Sequence, residues 1–167
     1  MFEWYEPGED SFTLYDVLKI EKLNSLLIVD LGCSTGYLTD LLDKENLVIS
    51  IDINMKALEK LENCKNSIKM DLLNGIDQKK LDCVVFNPPY VPDYDCPILG
   101  GGEFGRCVID RFVDQVEVKL LYLLIIEANK PQEVIDNLQS KGYTVKILKI
   151  RKVVGETIII LKCEKQI

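Results

Sequence analysis

Histidine is absent from all 167 residues. That excludes a Ser-His-Asp or Cys-His catalytic pair and any histidine-based zinc site. The six cysteines (Cys33, Cys64, Cys83, Cys96, Cys107 and Cys163) include no Cys-x-x-Cys pair, so metal and redox chemistry have little to build on and no metal is expected. Cys33, Cys83 and Cys163 lie in or beside apolar runs, which predicts reduced, mostly buried thiols. No apolar run reaches the ~18–20 residues of a membrane span. The opening Met1-Phe2-Glu3-Trp4-Tyr5-Glu6 carries no basic-then-apolar leader, so the expected location is the cytoplasm, with the nucleus as a second compartment. Basic side chains are the minority, 20 Lys and Arg against 27 Asp and Glu, a net charge of −7. That counts against nucleic-acid binding, which draws its affinity from cations on phosphates.

What is present reads as one globular domain over residues 1–167, with 47% apolar and 28% charged residues. No repeat, low-complexity tract or linker interrupts it. Apolar, β-rich runs at residues 26–31, 48–52, 67–71, 83–87 and 121–127 alternate with helical patterns near 37–43, 55–62 and 110–118. This is the signature of an α/β fold with a largely parallel sheet. A last helix is expected with Asn129 as its cap, Pro131 in its first turn and Gly142 after its end; Val134, Ile135 and Leu138 form its buried stripe. Strands over 143–151 and 157–163, parted by Val-Val-Gly-Glu, suggest a C-terminal antiparallel hairpin. Residues 91–106 hold Gly100, Gly101, Gly102 and Gly105 and are expected as a flexible loop, either a lid over substrate or a disordered segment.

The first strand runs into Asp30-Leu-Gly32-Cys33-Ser34-Thr35-Gly36. Glycine there permits a sharp strand-to-helix turn and close approach of a ligand to backbone. Ser34 stands where a dinucleotide fingerprint needs its middle glycine, and no phosphate-binding Gly-Lys-Ser/Thr loop occurs, so the site suits a nucleoside without phosphates. Asp52 follows Gly32 by twenty residues, where an acid meets ribose hydroxyls in this topology. Asp71 could accept from an adenine amino group. With Asp30 these make three carboxylates at the carboxyl ends of neighbouring strands, a rim suited to the cationic, phosphate-free S-adenosylmethionine.

The fourth strand ends in Asn87-Pro88-Pro89-Tyr90. Two prolines fix φ, remove two donors and hold Asn87 extended. The Pro88 carbonyl, the Asn87 side-chain oxygen and the Tyr90 ring then form a clamp for a planar NH₂ group.

At these residues the sequence resembles the HemK-type class I S-adenosylmethionine-dependent methyltransferases. The set is Asp30-x-Gly32, Asp52-Ile-Asn54, Asp71-Leu72 and Asn87-Pro88-Pro89-Tyr90. The leader Tyr5-Glu6-Pro7-Gly8-Glu9-Asp10-Ser11-Phe12 is similar to that of the eukaryotic and archaeal branch, the catalytic subunits of release factor glutamine N5-methyltransferases. Asp110-Arg111-Phe112 and Arg151…Gly155-Glu156-Thr157 match as well. The resemblance implies a single Rossmann-like methyltransferase domain whose residues 1–25 cover the cofactor. It implies that Ser11, Asp30, Gly32, Asp52, Asp71, Leu72 and Asn87 touch S-adenosylmethionine. Asn87, Pro88, Pro89 and Tyr90 would hold the substrate amide, with Asn87, Pro88 and Tyr90 catalytic. The implied substrate is the glutamine of the Gly-Gly-Gln motif in the class 1 translation release factor. The implied partner is a small zinc-binding activator subunit, which predicts a poorly soluble or inactive lone chain. Bacterial relatives carry a helical docking domain before the first strand, whereas about 25 residues precede it here. Ser34 replaces a usual glycine, which would tighten or re-bond the methionine end of the pocket; Ser11 replaces a threonine and keeps its hydroxyl.

An amide nitrogen is a poor nucleophile, so such a site works by aligning it with the S–CH₃ bond and accepting from its N–H groups. No strong base is required, in keeping with the missing histidine. Three other readings stand beside this one: an adenine-N6 nucleic-acid methyltransferase, a protein lysine methyltransferase, and a catalytically silent scaffold that stabilises its partner.

Overall fold

The computed structural model describes residues 3–61, 66–95 and 100–165; Cys64, Cys96 and the last position of the helical pattern over 55–62 lie outside them. The apolar runs form strands β1 (Leu27–Leu31), β2 (Leu47–Asp52), β3 (Ser67–Lys69), β4 (Cys83–Phe86) and β5 (Leu120–Ile126). They pair in parallel in the order β3-β2-β1-β4-β5. The C-terminal strands β6 (Tyr143–Val153) and β7 (Glu156–Lys165) form the expected antiparallel hairpin, and β7 inserts between β5 and β6. The architecture is therefore α/β, a seven-stranded and mostly parallel sheet. β4 is buried along its length, as is all of β5 beyond its first residue, which is why these strands read as continuous Val, Ile and Leu.

The chain fills one side of β1 with β2 and β3, then crosses to β4 on the other side. Strand order reverses there, and in such sheets a crevice opens beyond the carboxyl ends of the two central strands. β3 and β4 end two and one residues earlier than the apolar runs suggest. Asp71 and Asn87 therefore leave the ladder and stand on loops at that crevice, while Asp52 ends β2 as expected.

Helices α2 (Thr39–Leu42), α3 (Met55–Leu58), α4 (Cys107–Gln115) and α5 (Pro131–Ser140) connect the strands. α4 starts three residues before the expected 110 and stops short of 118, because Val116 is already extended and, with Val118, turns into the core. Pro131 opens α5 and Gly142 follows its end at φ +88°, as the punctuation predicts. The cap is a correction. Lys130, at φ 52°, holds the position expected for Asn129, whose side chain is turned wholly into the core. A further helix, α1 (Glu9–Glu21), occupies the leader. It buries Leu14, Val17 and Leu18 and packs on β6 and β7. Its far end is held by Glu21, which accepts from the Tyr122 hydroxyl at 2.6 Å and pairs with Lys162 at 2.7 Å.

Cys33, Cys83 and Cys163 are buried thiols outside any disulfide, and Cys107 is an exposed one. Burial pushes the Cys83 and Cys163 thiols well above their ordinary range, so both are inert packing groups.

Candidate active site

The crevice is a cleft of about 500 Å³, ordinary for a small-molecule site. Every residue expected to touch cofactor or substrate lines it: Ser11, Asp30, Gly32, Asp52, Asp71, Leu72, Asn87, Pro88, Pro89 and Tyr90.

The floor is the β1–α2 turn. Gly32 has φ +67°, and its N–H and that of Cys33 both donate to the Ile51 carbonyl, at 2.7 and 3.1 Å. A Cβ on Gly32 would touch the Phe86 ring at 3.4 Å and the Asn87 carbonyl at 3.5 Å, so a side chain there would lean on the start of the clamp. Ser34 takes a left-handed φ of 46°, and its hydroxyl donates to the Tyr5 carbonyl at 2.7 Å. This serine thus ties the leader to the cleft floor.

The three carboxylates of the expected rim are not equivalent. Asp52 accepts from the Ser34 N–H at 2.9 Å and the Asn54 N–H at 2.7 Å, one bond per oxygen, which leaves lone pairs for a diol. Asp71 is ion-paired with Arg111, an exposed couple at the cleft edge. Asp30 is buried at 1% exposure and accepts from the Thr39 hydroxyl at 2.6 Å. Burial raises its carboxyl from 3.8 to about 7, with the nearby Asp52 charge adding to the rise. The unfolded chain ionises Asp30 near pH 4 and the folded chain near 7, so its contribution to stability is full below pH 4 and is lost as pH rises to about 7. Asp30→Asn is expected to flatten this slope. Thermal unfolding of wild type and variant across pH 5–8 checks it, and parallel curves would contradict it.

The wall is the clamp. Pro88 and Tyr90 are buried, Asn87 and Pro89 half-buried. The Asn87 side-chain N–H donates to Asp10 at 2.9 Å. Among the described residues, Asn87 Oδ1 is the buried side-chain polar atom with no partner. An orphaned acceptor costs about 1–3 kcal/mol unless a ligand supplies the donor. The Tyr90 hydroxyl sits 3.4 Å from Glu156. Desolvation and the Asp10 charge push Tyr5 and Tyr90 far above the ordinary phenol range, and burial lifts Glu156 above the ordinary carboxylate range. Both phenols stay neutral.

Behind the clamp lies Asn129. Its amide donates to the carbonyls of Tyr90 at 2.9 Å and Phe104 at 2.7 Å, and its oxygen accepts from the Ile126 N–H at 2.8 Å. The described ends of the 91–106 segment are joined there as well. Gly101 N–H bonds the Val91 carbonyl at 2.8 Å and Gly102 N–H the Asp93 carbonyl at 3.1 Å. The leader closes the remaining side. Tyr5, Pro7, Asp10 and Ser11 line the cleft, and Asn54 donates to the Glu3 carbonyl at 2.6 Å.

Sequence reasoning missed Asp10, Tyr5, Arg111, Glu156 and Asn129 as parts of the site. A signal for Asp10 was present. It shares the i, i+4, i+7, i+8 stripe of Leu14, Val17 and Leu18, a carboxylate on a buried face.

Residues 3–97 match the family described as the methyltransferase small domain. Methyltransferase HEMK2 of Homo sapiens is 31% identical over 96% of this chain and 89% of its own length. A putative protein N5-glutamine methyltransferase of Methanocaldococcus jannaschii is 29% identical over 95% of this chain and 90% of its own length. A chain of the E. cuniculi Mtq2–Trm112 complex, described as responsible for methylation of the eRF1 translation termination factor, superposes with a TM-score of 0.96. Its identity is 55%, over 99% of this chain and 100% of that one.

Proposed function

This chain belongs to the methyltransferase small domain family, and on that premise we propose that it moves a methyl group from S-adenosylmethionine to the side-chain amide nitrogen of a glutamine, the one in the Gly-Gly-Gln motif of a class 1 translation release factor. The observation that carries the reading is the unpartnered Asn87 Oδ1 in the cleft wall, an acceptor waiting for an N–H. When bound, S-adenosylmethionine would supply a methyl group activated by a sulfonium.

The cleft fits such a group. Asp52 has free lone pairs for ribose hydroxyls, Gly32 presents bare backbone, and Leu72 and Asp71 offer an apolar wall with an acid beside it. Ser11 and the buried Asp30 line the same cleft. Asn87 and the Pro88 carbonyl would accept from the two N–H bonds of the glutamine amide while Tyr90 covers its plane. Holding that nitrogen in line is worth up to about 7–11 kcal/mol in well-oriented systems. Acceptors aimed at the charge growing on nitrogen act most strongly in a dry wall such as this one.

A small activator subunit is the proposed partner, by analogy with the Mtq2–Trm112 complex. Both sheet edges leave apolar side chains in the open: Ile147 and Ile150 on β6, among the exposed Lys146, Lys149 and Lys152, and Ile68 on the three-residue β3, with Leu47 on the neighbouring β2. The β6 edge carries the more lysines, charges that blunt an edge, which makes the β3 edge the proposed docking side. Among the described residues no helix is long and apolar enough to cross a membrane, and the proposed site of action is the cytoplasm.

The test offers labelled S-adenosylmethionine and the activator-bound enzyme to a release factor, to its Gln→Ala variant and to DNA. Label on the first alone is expected. Label on DNA would favour adenine methylation, and label on the Gln→Ala variant would move the target to another side chain such as lysine.

A further inference from the structure

Asn87 lines the cleft, and its oxygen is left without a partner only if its amide is held in one of two orientations. We infer that Asp10, a residue assigned no part in the cofactor or substrate contacts above, is the positioning residue that holds it, and so gives the clamp its acceptor polarity; the inference rests on the proposed amide substrate.

Asp10 is 2% exposed, on the first turn of α1, and both of its oxygens are hydrogen-bonded. One oxygen accepts from the Tyr5 hydroxyl at 2.5 Å and the Ser11 N–H at 2.7 Å. The other accepts from Asn87 at 2.9 Å. A carboxylate only accepts hydrogen bonds, so the Asn87 atom facing it must be the NH₂. The carbonyl oxygen is thereby left over, without a partner. Were the amide reversed, Asp10 would face an oxygen at hydrogen-bond distance, two acceptors with no proton between them. The clamp would then present donors to an incoming NH₂ and repel it. The geometry around Asp10 is itself fixed. A Cβ on Gly8 would stand 2.8 Å from the Tyr5 hydroxyl oxygen and 3.1 Å from Asp10 Oδ1, so glycine makes room for that pair.

Asp10→Asn is the probing substitution because it keeps shape and reverses one edge. Its oxygen can still serve Tyr5 and Ser11, which leaves its NH₂ toward residue 87. Asn87 must then turn its own oxygen to that NH₂ and its donors to the cleft. With the activator-bound enzyme and a release factor substrate, kcat is expected to fall about 10²–10³-fold, the scale of losing one oriented partner for developing charge. The KM for S-adenosylmethionine and the calorimetric affinity for S-adenosylhomocysteine should change little. The exchange Asp10→Asn with Asn87→Asp restores an acceptor at residue 87 and a donor at residue 10. It should recover at least about tenfold over Asp10→Asn alone, a coupling within the usual range for touching residues. A loss of kcat without that recovery points to a merely structural carboxylate and overturns the inference, as does wild-type kcat in Asp10→Asn. If Asp10→Asn alone does not fold, the exchange decides: folded, cofactor-binding protein that transfers methyl supports the inference, and any other result overturns it. Wild-type enzyme that leaves the glutamine unlabelled would instead refute the functional reading, a separate and prior result.

Discussion

Asn87→Ala is expected to lower methyl transfer to the release factor by at least about 10²–10³-fold, the scale of removing one preorganised partner of developing charge. The affinity for S-adenosylhomocysteine should change far less. The split follows from the geometry. Asn87 Oδ1 has nothing to bond until an N–H arrives, so its removal takes away an interaction made with the reacting group alone. Gly32, Asp52 and Leu72, which the cofactor would meet, keep their own bonds and packing without it. Two opposed effects on stability accompany it. The alanine strips the Asp10 oxygen of its donor but also removes the orphaned Asn87 Oδ1, each worth about 1–3 kcal/mol, so the melting temperature should change less than the turnover does. Turnover measured at a temperature where both proteins are folded separates stability from transfer. Near-normal turnover would sink the clamp as the seat of the chemistry.

Much of this was readable in the chain before any coordinates, and the reason differs from one residue to the next. The parallel strands were legible because both of their faces are buried, which forces unbroken Val, Ile and Leu. Gly32, Asp52 and Asn87 were legible because the topology fixes where a strand end must open on a ligand. Asp71 and Asp30 were placed correctly in the cleft but not in character. Whether a carboxylate is free, paired with Arg111 or buried against Thr39 depends on side chains 40 and 9 residues away, which local pattern does not encode. Asn129 was misread for a similar reason. Asparagine before Pro131 looks like a cap, yet its amide serves the Tyr90 and Phe104 carbonyls and the Ile126 N–H together. Long-range satisfaction of buried backbone groups outweighed a local cap. The leader is expected to cover the cofactor, but its helix is not legible, because the face it buries includes Asp10, Ser11 and Thr13, polar residues that break the apolar stripe of Leu14, Val17 and Leu18.

Gly105→Ala should be severely damaging, since among the glycines whose surroundings are described an added Cβ meets its nearest atom most closely there. Gly105 sits at φ +67°, a region that costs an ordinary side chain about 1–2 kcal/mol. Its surroundings make it worse. A Cβ there would lie 1.7 Å from the Tyr90 carbonyl oxygen and 2.8 Å from the Asn129 amide nitrogen, and neither backbone nor a buried hub can give way cheaply. Relief requires Tyr90 to move, and Tyr90 is stiffly coupled through two prolines to Asn87. Gly142 supplies the control, since it shares a positive φ of 88° but has open space where its Cβ would be. Gly142→Ala is expected to lose only about 1–2 kcal/mol and to keep its turnover. Gly105→Ala should lose at least about 2 kcal/mol more, by the scale of strained packing in a tight core, and should lose turnover with it. Denaturant unfolding and kcat of the two variants, each with the activator bound, make the comparison. If they behave alike, the glycine segment does not brace the clamp, and Asn129 merely fills the space behind it. If they diverge as expected, Gly105 is a packing requirement of the active site, because backbone there must pass within contact of the carbonyl that follows the second proline.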